Sequence, residues 1–109
     1  MKRGDYVIVA DRDGDFSGKP RPALIVQSDL FNDTHQSVTV CLITTELTGM
    51  PMYRVPVAAN DRNGLLRDSE VAVDKLQAVW THRVSRVIGK ATNETLIAVE
   101  SALRTWLTL

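Results

Sequence analysis

The sequence contains little cysteine and no long hydrophobic run, and its charges balance. One of its 109 residues is cysteine, Cys41, which excludes an internal disulfide framework and a zinc site built on cysteines. No apolar run approaches the roughly 18 residues of a membrane-spanning helix, and the first residues lack the apolar core of a signal peptide. Thirteen basic and thirteen acidic residues give a net charge of zero, so the chain as a whole is not attracted to nucleic acids or membranes. We therefore expect a single cytoplasmic domain that spans residues 1–109.

Most of the chain alternates apolar and polar residues with a period of two, which predicts short β-strands. Turn sequences such as Asp13-Gly14 and Asn63-Gly64 separate the alternating segments. Many short strands at such spacing favour a small β-barrel or sandwich. The predicted strands cover residues 6–10, 23–26, 38–43, 52–57, 70–74, 76–79 and 84–88.

The C-terminal segment changes to a helical period. Its apolar residues recur at spacings of three, four and three, which predicts one amphipathic helix of about 15 residues. Asn93 or Thr92 is available as the N-cap. We expect this helix to lie over the sheet or over its open end. The apolar stripe consists of Leu96, Val99, Leu103 and Trp106.

Two short segments resemble ligand-binding motifs but lack a required residue. Residues 11–15 resemble the start of a calcium loop, yet Phe16 stands where a glycine must turn. Residues 14–20 resemble a phosphate-binding loop that is one residue short and has proline in place of the magnesium-binding Ser or Thr. The two histidines, His35 and His82, have no metal-ligand partner at the usual spacing. We therefore expect no metal ion and no cofactor.

The segment from Gly14 to Thr45 contains the strongest candidates for a chemical role. A glycine-rich loop delivers Lys19 and Arg21 to the start of an apolar strand, and the prolines on both sides of Arg21 stiffen its backbone. A guanidinium fixed in this way is a good rigid fork for phosphate. The next strand ends in Thr44-Thr45, which places two hydroxyls where the apolar run stops. On spacing alone, the same residues also fit an arginine that covers a barrel edge and a threonine pair in a turn.

Short sequences in four parts of the chain occur together in one known family. They are Arg3-Gly4-Asp5, Arg21-Pro22-Ala23-Leu24-Ile25-Val26, Ile43-Thr44, and Gly64-Leu65 followed by Asp68-Ser69 and Asp74. In this order and at these separations they resemble the MazF/PemK family of toxin endoribonucleases, over most of the chain. The resemblance implies a mainly β fold, an SH3-like β-barrel with a C-terminal α-helix, that forms a homodimer and cleaves single-stranded RNA without a metal. It also implies a cognate antitoxin protein that occupies the RNA groove.

The resemblance assigns roles to individual positions. It implies Arg21 as the catalytic arginine, Thr44 as the catalytic hydroxyl at a strand end, and Asp74 as a catalytic or RNA-contacting carboxylate. Ala72 stands where PemK-like members carry arginine, and Phe16 where many members carry glutamate. The residues implied to contact RNA are Asp15, Phe16, Ser17, Lys19, Thr45, Ser69, Lys75 and Gln77.

These residue types suit cleavage of RNA by its own nucleophile. Since the 2′-hydroxyl attacks the adjacent phosphate, the enzyme must accept one proton, donate another to the leaving 5′-oxygen and face the phosphate with positive charge. Arg21 would clamp the phosphate, Thr44 would donate a hydrogen bond to a non-bridging oxygen, and Asp74 would act as general base or orient Arg21. The products would carry a 2′,3′-cyclic phosphate and a 5′-hydroxyl. The basic residues available to line an RNA groove are Lys19, Arg21, Arg54, Arg62, Arg67, Lys75, Arg83 and Arg86.

Two alternatives share the expected fold. One is a DNA gyrase poison of the CcdB type, whose activity resides in a C-terminal tail that ends in a Trp-led tripeptide. Here the chain ends Trp106-Leu107-Thr108-Leu109, and Trp106 falls on the apolar stripe of the helix, which favours a packing role for it. The other alternative is a non-catalytic SH3-like module that binds RNA or a protein.

Overall fold

A computed structural model describes residues 1–10 and 19–109 of the chain. The described part consists of six strands, two α-helices and a 3-10 turn. In chain order these are β1 (Asp5–Val9), β2 (Arg21–Ile25), α1 (Asp29–Asn32), β3 (Ser37–Thr44), β4 (Arg54–Val57), β5 (Ser69–Trp80), a 3-10 turn (Thr81–Arg83), β6 (Val84–Lys90) and α2 (Asn93–Leu107).

The six strands form one antiparallel sheet in the order β4-β5-β3-β2-β1-β6. The last strand, β6, returns to pair with the first, β1, so that residues far apart in the sequence lie side by side in the sheet. The predicted mainly β fold with a C-terminal helix is confirmed. Within the described residues, β4 and β6 remain as edges of the sheet, and the hydrogen-bonded barrel is not closed.

The period-two pattern of the strands produces a core on each face of the sheet. Successive side chains point to opposite faces, so Leu24 and Cys41 enter one core while their neighbours Ala23 and Val40 enter the other. Helix α2 covers the first core. Val99 and Ala102, two buried residues of this helix, pack there against the strands.

Strand β5 differs from its predicted form. The sequence predicts two segments, residues 70–74 and 76–79, whereas the structure forms a single strand, Ser69–Trp80. The apparent break is a bulge, because Leu42 of β3 pairs with Ala72 and the preceding Cys41 pairs with Leu76. Residues 73–75 are therefore extra in β5, and bulges of this kind re-aim the side chains that they contain.

Helix α2 has the predicted length of 15 residues. Its N-cap is Thr92, one of the two expected candidates, and the Thr92 hydroxyl accepts a hydrogen bond from the Thr95 amide. Trp106 lies at the margin of the apolar stripe: it is 48% exposed and its ring contacts that of Tyr53 at a centroid distance of 5.6 Å. In the described part of the chain, no helix is long and apolar enough to cross a membrane.

Candidate active site

Arg21 and Thr44 lie at neighbouring strand ends. Ala23 of β2 pairs with Leu42 of β3, and Arg21 and Thr44 each lie two residues beyond this pair, at the adjoining ends of the two strands. Residues two positions apart on a strand share one face of the sheet, so Arg21 shares the face of Ala23 and Thr44 shares that of Leu42. The structure therefore has on one face, at adjoining strand ends, the two residues to which the resemblance assigns the roles of arginine and hydroxyl.

The local contacts of Thr44 leave its hydroxyl proton available. Its Oγ1 atom accepts a hydrogen bond of 3.1 Å from the amide of Glu46, which turns the chain at the end of β3. A hydroxyl that accepts one hydrogen bond still has its own proton to donate. The side chain is partly exposed, so the Thr44 hydroxyl can donate this proton to a phosphate oxygen above the sheet.

A partly buried ion-pair network occupies the same face beside Thr44. Across β5 from β3, the edge strand β4 places Arg54 opposite the small residue Ala72, with Glu70 and Asp74 two positions to either side. The Arg54 guanidinium donates from Nε and Nη2 to the two carboxylate oxygens of Asp74 at 2.7 and 3.1 Å, and from Nη1 to Glu70 at 3.5 Å. The side chains of Arg54, Glu70 and Asp74 are 11%, 5% and 17% exposed. Both carboxylate oxygens of Asp74 therefore accept hydrogen bonds from Arg54.

The network keeps both carboxylates ionised. Hydrogen bonds from Arg54 hold the pKa of Asp74 below its ordinary value of 3.8. Burial acts to raise the pKa of Glu70, but hydrogen bonds from Gly49, Thr48 and Arg54 outweigh it and lower that pKa from 4.5. An ion-paired carboxylate with a lowered pKa is a weak proton acceptor.

Glu70 also fixes the loop that follows Thr44. Its carboxylate accepts hydrogen bonds from the amide and hydroxyl of Thr48, the latter at 2.9 Å, and from the amide of Gly49 at 3.0 Å. Since Glu70 pairs directly with Thr44 across the two strands, one buried side chain links the end of β3, the loop from β3 to β4, and Arg54.

The remaining predicted RNA contacts fall into three groups. Four side chains are exposed: Lys19, Thr45, Lys75 and Gln77. Ser69 is 3% exposed, and its hydroxyl donates to the Arg67 carbonyl at 2.8 Å. The contacts expected of Asp15, Phe16 and Ser17 lie outside the described residues.

Sequence reasoning did not assign Glu70 to the site, and it placed Arg54 only among the basic residues available to an RNA groove. The alternation in residues 52–57 does place Arg54 on the face opposite Val55. What the sequence does not reveal is that β4 pairs with β5, and this pairing brings Arg54 to Asp74.

Comparisons with known proteins agree with this fold. A family model described as "PemK-like, MazF-like toxin of type II toxin-antitoxin system" matches residues 2–107. A protein of Mycolicibacterium smegmatis named probable endoribonuclease MazF is 35% identical over 107 residues, which cover 98% of this chain and 96% of that protein.

Solved structures resemble the fold over almost its whole length. The Mycobacterium tuberculosis toxin MazF-mt6 superimposes with a TM-score of 0.82 at 28% identity, covering 96% of this chain and 97% of that one. An endoribonuclease from a mycobacterial species, solved in complex with its cognate antitoxin, gives a TM-score of 0.81 at 22% identity and covers 100% and 96% of the two chains. A MazE–MazF structure from Deinococcus radiodurans gives 0.80 at 22% identity, with coverage of 100% and 96%.

Proposed function

The chain belongs to the PemK-like, MazF-like toxins of type II toxin-antitoxin systems, and we propose that it is an endoribonuclease that cleaves single-stranded RNA without a metal ion. The observation that carries this proposal is the placement of Arg21 and Thr44 on one face, at the ends of adjacent strands. A phosphate held there would meet a guanidinium fork and a hydroxyl donor at once.

In this mechanism the RNA supplies the nucleophile. The 2′-hydroxyl gives its proton to water as its oxygen attacks the adjacent phosphorus atom, the bond to the 5′-oxygen breaks, and that oxygen takes a proton from water. The products are a 2′,3′-cyclic phosphate and a 5′-hydroxyl. Arg21 holds the phosphate and stabilises the charge that develops on its oxygens, and Thr44 donates to a non-bridging oxygen. Because guanidinium retains its proton strongly, the role of Arg21 is electrostatic.

We assign Asp74 to positioning rather than to proton abstraction. Both of its oxygens accept hydrogen bonds from Arg54, and this pairing lowers its pKa. Arg54 instead neutralises one of the two carboxylates beside Thr44, and the exposed cations that would attract the RNA are Lys19, Arg21 and Lys75. A local cluster of this kind provides the attraction that the zero net charge of the chain does not. We treat the buried Ser69 as a structural residue at the start of β5.

The partners follow from the same proposal. We propose that a cognate antitoxin silences this chain by covering the face of Arg21 and Thr44, and that the chain forms a homodimer in the cytoplasm. Exposed apolar residues between β3 and β4 and at the end of α2 provide a surface that a second copy would bury. They are Leu47, Met50, Met52, Trp106 and Leu107. Light scattering of the purified chain measures its molar mass and so tests whether it is a homodimer.

The test of the reaction uses the chemistry of the substrate. We expect the purified protein to cut a mixed-sequence single-stranded RNA in excess EDTA, at selected sequences, and to leave cyclic-phosphate ends. One deoxynucleotide placed 5′ of the mapped cleavage site should abolish cutting there, since it removes the nucleophile, and a deoxynucleotide placed 3′ of that site is the matched control. Undiminished cleavage at the 5′-deoxy site would show that water attacks instead and would refute the mechanism.

A further inference from the structure

The ion-pair network beside Thr44 contains one more carboxylate than it contains cations. Arg54 is shared between Asp74 and Glu70, and its hydrogen bonds to Asp74 are the shorter ones. In the part of the chain that the structure describes, no second cation forms a salt bridge with Glu70. Glu70 therefore adds a buried, ionised carboxylate at the strand position opposite Thr44, where the proposed reaction brings an anionic phosphate. Such a charge opposes RNA binding, so its presence there calls for a physical reason.

Most hydrogen bonds of the Glu70 carboxylate come from the loop between β3 and β4. Its two oxygens accept bonds from the amides of Thr48 and Gly49 and from the Thr48 hydroxyl, at donor–acceptor distances of 2.9–3.2 Å. Residues 45–50 are exposed, so water competes for the hydrogen bonds that these residues form among themselves. The buried carboxylate therefore attaches an otherwise exposed loop to β5.

The same loop also binds the hydroxyl of Thr44. The Glu46 amide donates to Thr44 Oγ1 at 3.1 Å, two residues before Thr48. A hydroxyl proton rotates to suit the partners of its oxygen, so an amide that occupies one lone pair limits the directions in which the proton can point. Thr44 and Glu70 are paired across β3 and β5. The segment 44–49 is therefore held at both ends by one cross-strand pair.

We propose that Glu70 is a positioning residue for RNA cleavage: it fixes the loop whose Glu46 amide orients the Thr44 hydroxyl toward the scissile phosphate. This inference rests on the endoribonuclease activity proposed above, and it adds to that reaction a residue that contacts no reacting atom. The placement of a donor matters, since an error of about 1 Å slows a reaction by about 100-fold. The charge of Glu70 acts in the opposite direction, because a carboxylate near the phosphate disfavours the negative charge of the transition state.

Glu70→Gln separates the positioning effect from the charge effect, because it removes the charge and keeps the size of the side chain. Glutamine has one oxygen acceptor in place of two, so the loop amides lose part of their attachment. Single-turnover cleavage is measured over a range of RNA concentrations, and circular dichroism verifies folding. We expect the rate at saturating RNA to fall by about tenfold or more, while the half-saturating RNA concentration stays equal to that of the wild type or decreases. The matched control is Glu94→Gln, which changes an exposed glutamate in the first turn of α2 and should leave the rate unchanged.

A double-mutant cycle with Thr44→Val tests whether Glu70 acts through the Thr44 hydroxyl. Valine has nearly the same shape as threonine but no hydroxyl, so Thr44→Val should cleave about 100-fold more slowly than the wild type. If Glu70 acts through this hydroxyl, the double variant Glu70→Gln/Thr44→Val should cleave at the rate of Thr44→Val alone, to within about twofold. Losses of rate that multiply in the double variant would show that Glu70 acts independently of the hydroxyl and would overturn the proposal.

A second variant decides the question if Glu70→Gln does not fold. Thr48→Val removes one donor to the Glu70 carboxylate at an exposed position, and it should lower the same rate by about threefold but have no effect in the Thr44→Val background. A Glu70→Gln protein that cleaves RNA as fast as the wild type, or faster, would overturn the proposal, because the charge alone would then account for the effect of Glu70. A wild type that cuts no RNA would refute the proposed function and this role with it, whereas the other contrary results refute this role alone.

Discussion

Removal of the Glu70 side chain tests the hydrogen-bond network beside the candidate active site. In Glu70→Ala, the amides of Thr48 and Gly49 and the Thr48 hydroxyl lose their acceptor, and Arg54 keeps only Asp74. Each hydrogen bond to a charged acceptor contributes about 1.5–3 kcal/mol. The loop residues are exposed and become hydrated in the variant, so the separate values do not add. We expect a net loss of about 2–3 kcal/mol in the free energy of unfolding.

Urea unfolding followed by circular dichroism measures this loss. For a chain of this size, 2–3 kcal/mol corresponds to a shift in the urea midpoint of about 1–2 M. Glu46→Ala is the matched control, because Glu46 is an exposed glutamate in the same loop and its truncation should change stability by no more than about 0.5 kcal/mol. If the midpoint of Glu70→Ala lay within about 0.3 M of the control, the network would not stabilise the loop and this account of Glu70 would be wrong.

Three other perturbations have equally definite outcomes. The folded-state pKa of Asp74 lies below 3.8, so its stabilising contribution is complete above that ordinary value and is lost as the pH falls through the folded-state pKa. In a plot of the urea midpoint against pH, Asp74→Asn should therefore flatten the decline at acid pH. An unchanged decline would contradict the pairing of Asp74 with Arg54. Gly64→Ala should destabilise the protein by about 3 kcal/mol or more, since its Cβ would lie 2.1 Å from the Ile88 carbonyl oxygen. Gly49 has a similar positive φ but open space around it, so Gly49→Ala should cost only about 1–2 kcal/mol in urea unfolding. Equal losses in the two variants would refute the steric argument. Tyr6→Phe should leave stability unchanged or raise it by about 1 kcal/mol, because the hydroxyl that it removes is buried with no hydrogen-bond partner among residues 1–10 and 19–109. A loss of that size in thermal unfolding would show that the hydroxyl has a partner.

The sequence predicts the elements whose pattern is local. The helix over residues 93–107 follows from its apolar stripe and its cap, and every predicted strand has a counterpart in the sheet. The short helix α1 (Asp29–Asn32) was missed, because four residues contain too little periodicity to separate a helix from a polar loop. The apparent break after residue 74 is the bulge in β5, where three extra residues interrupt the alternation without ending the strand.

In the candidate site, too, the features set by local sequence can be predicted and the long-range contacts cannot. Arg21 and Thr44 are recognisable from the motifs around them, and they lie at the adjoining ends of the paired strands β2 and β3. The partner of Asp74 depends on contact between β4 and β5 across 20 residues of sequence, and no local pattern encodes such a contact. The sequence therefore suggested Asp74 as a base or as a partner of Arg21, and the structure pairs it with Arg54.

The rate of RNA cleavage by Arg21→Ala, measured under single-turnover conditions in excess EDTA, tests the central claim most directly. The control is Arg104→Ala, which removes an exposed arginine from α2, and circular dichroism verifies that both variants are folded. We predict that Arg21→Ala cleaves at least about 100-fold more slowly than the wild type, the scale expected when one preorganised donor to the transition state is lost, and that the control cleaves at the wild-type rate. A folded Arg21→Ala protein that cuts RNA as fast as the wild type would contradict the account.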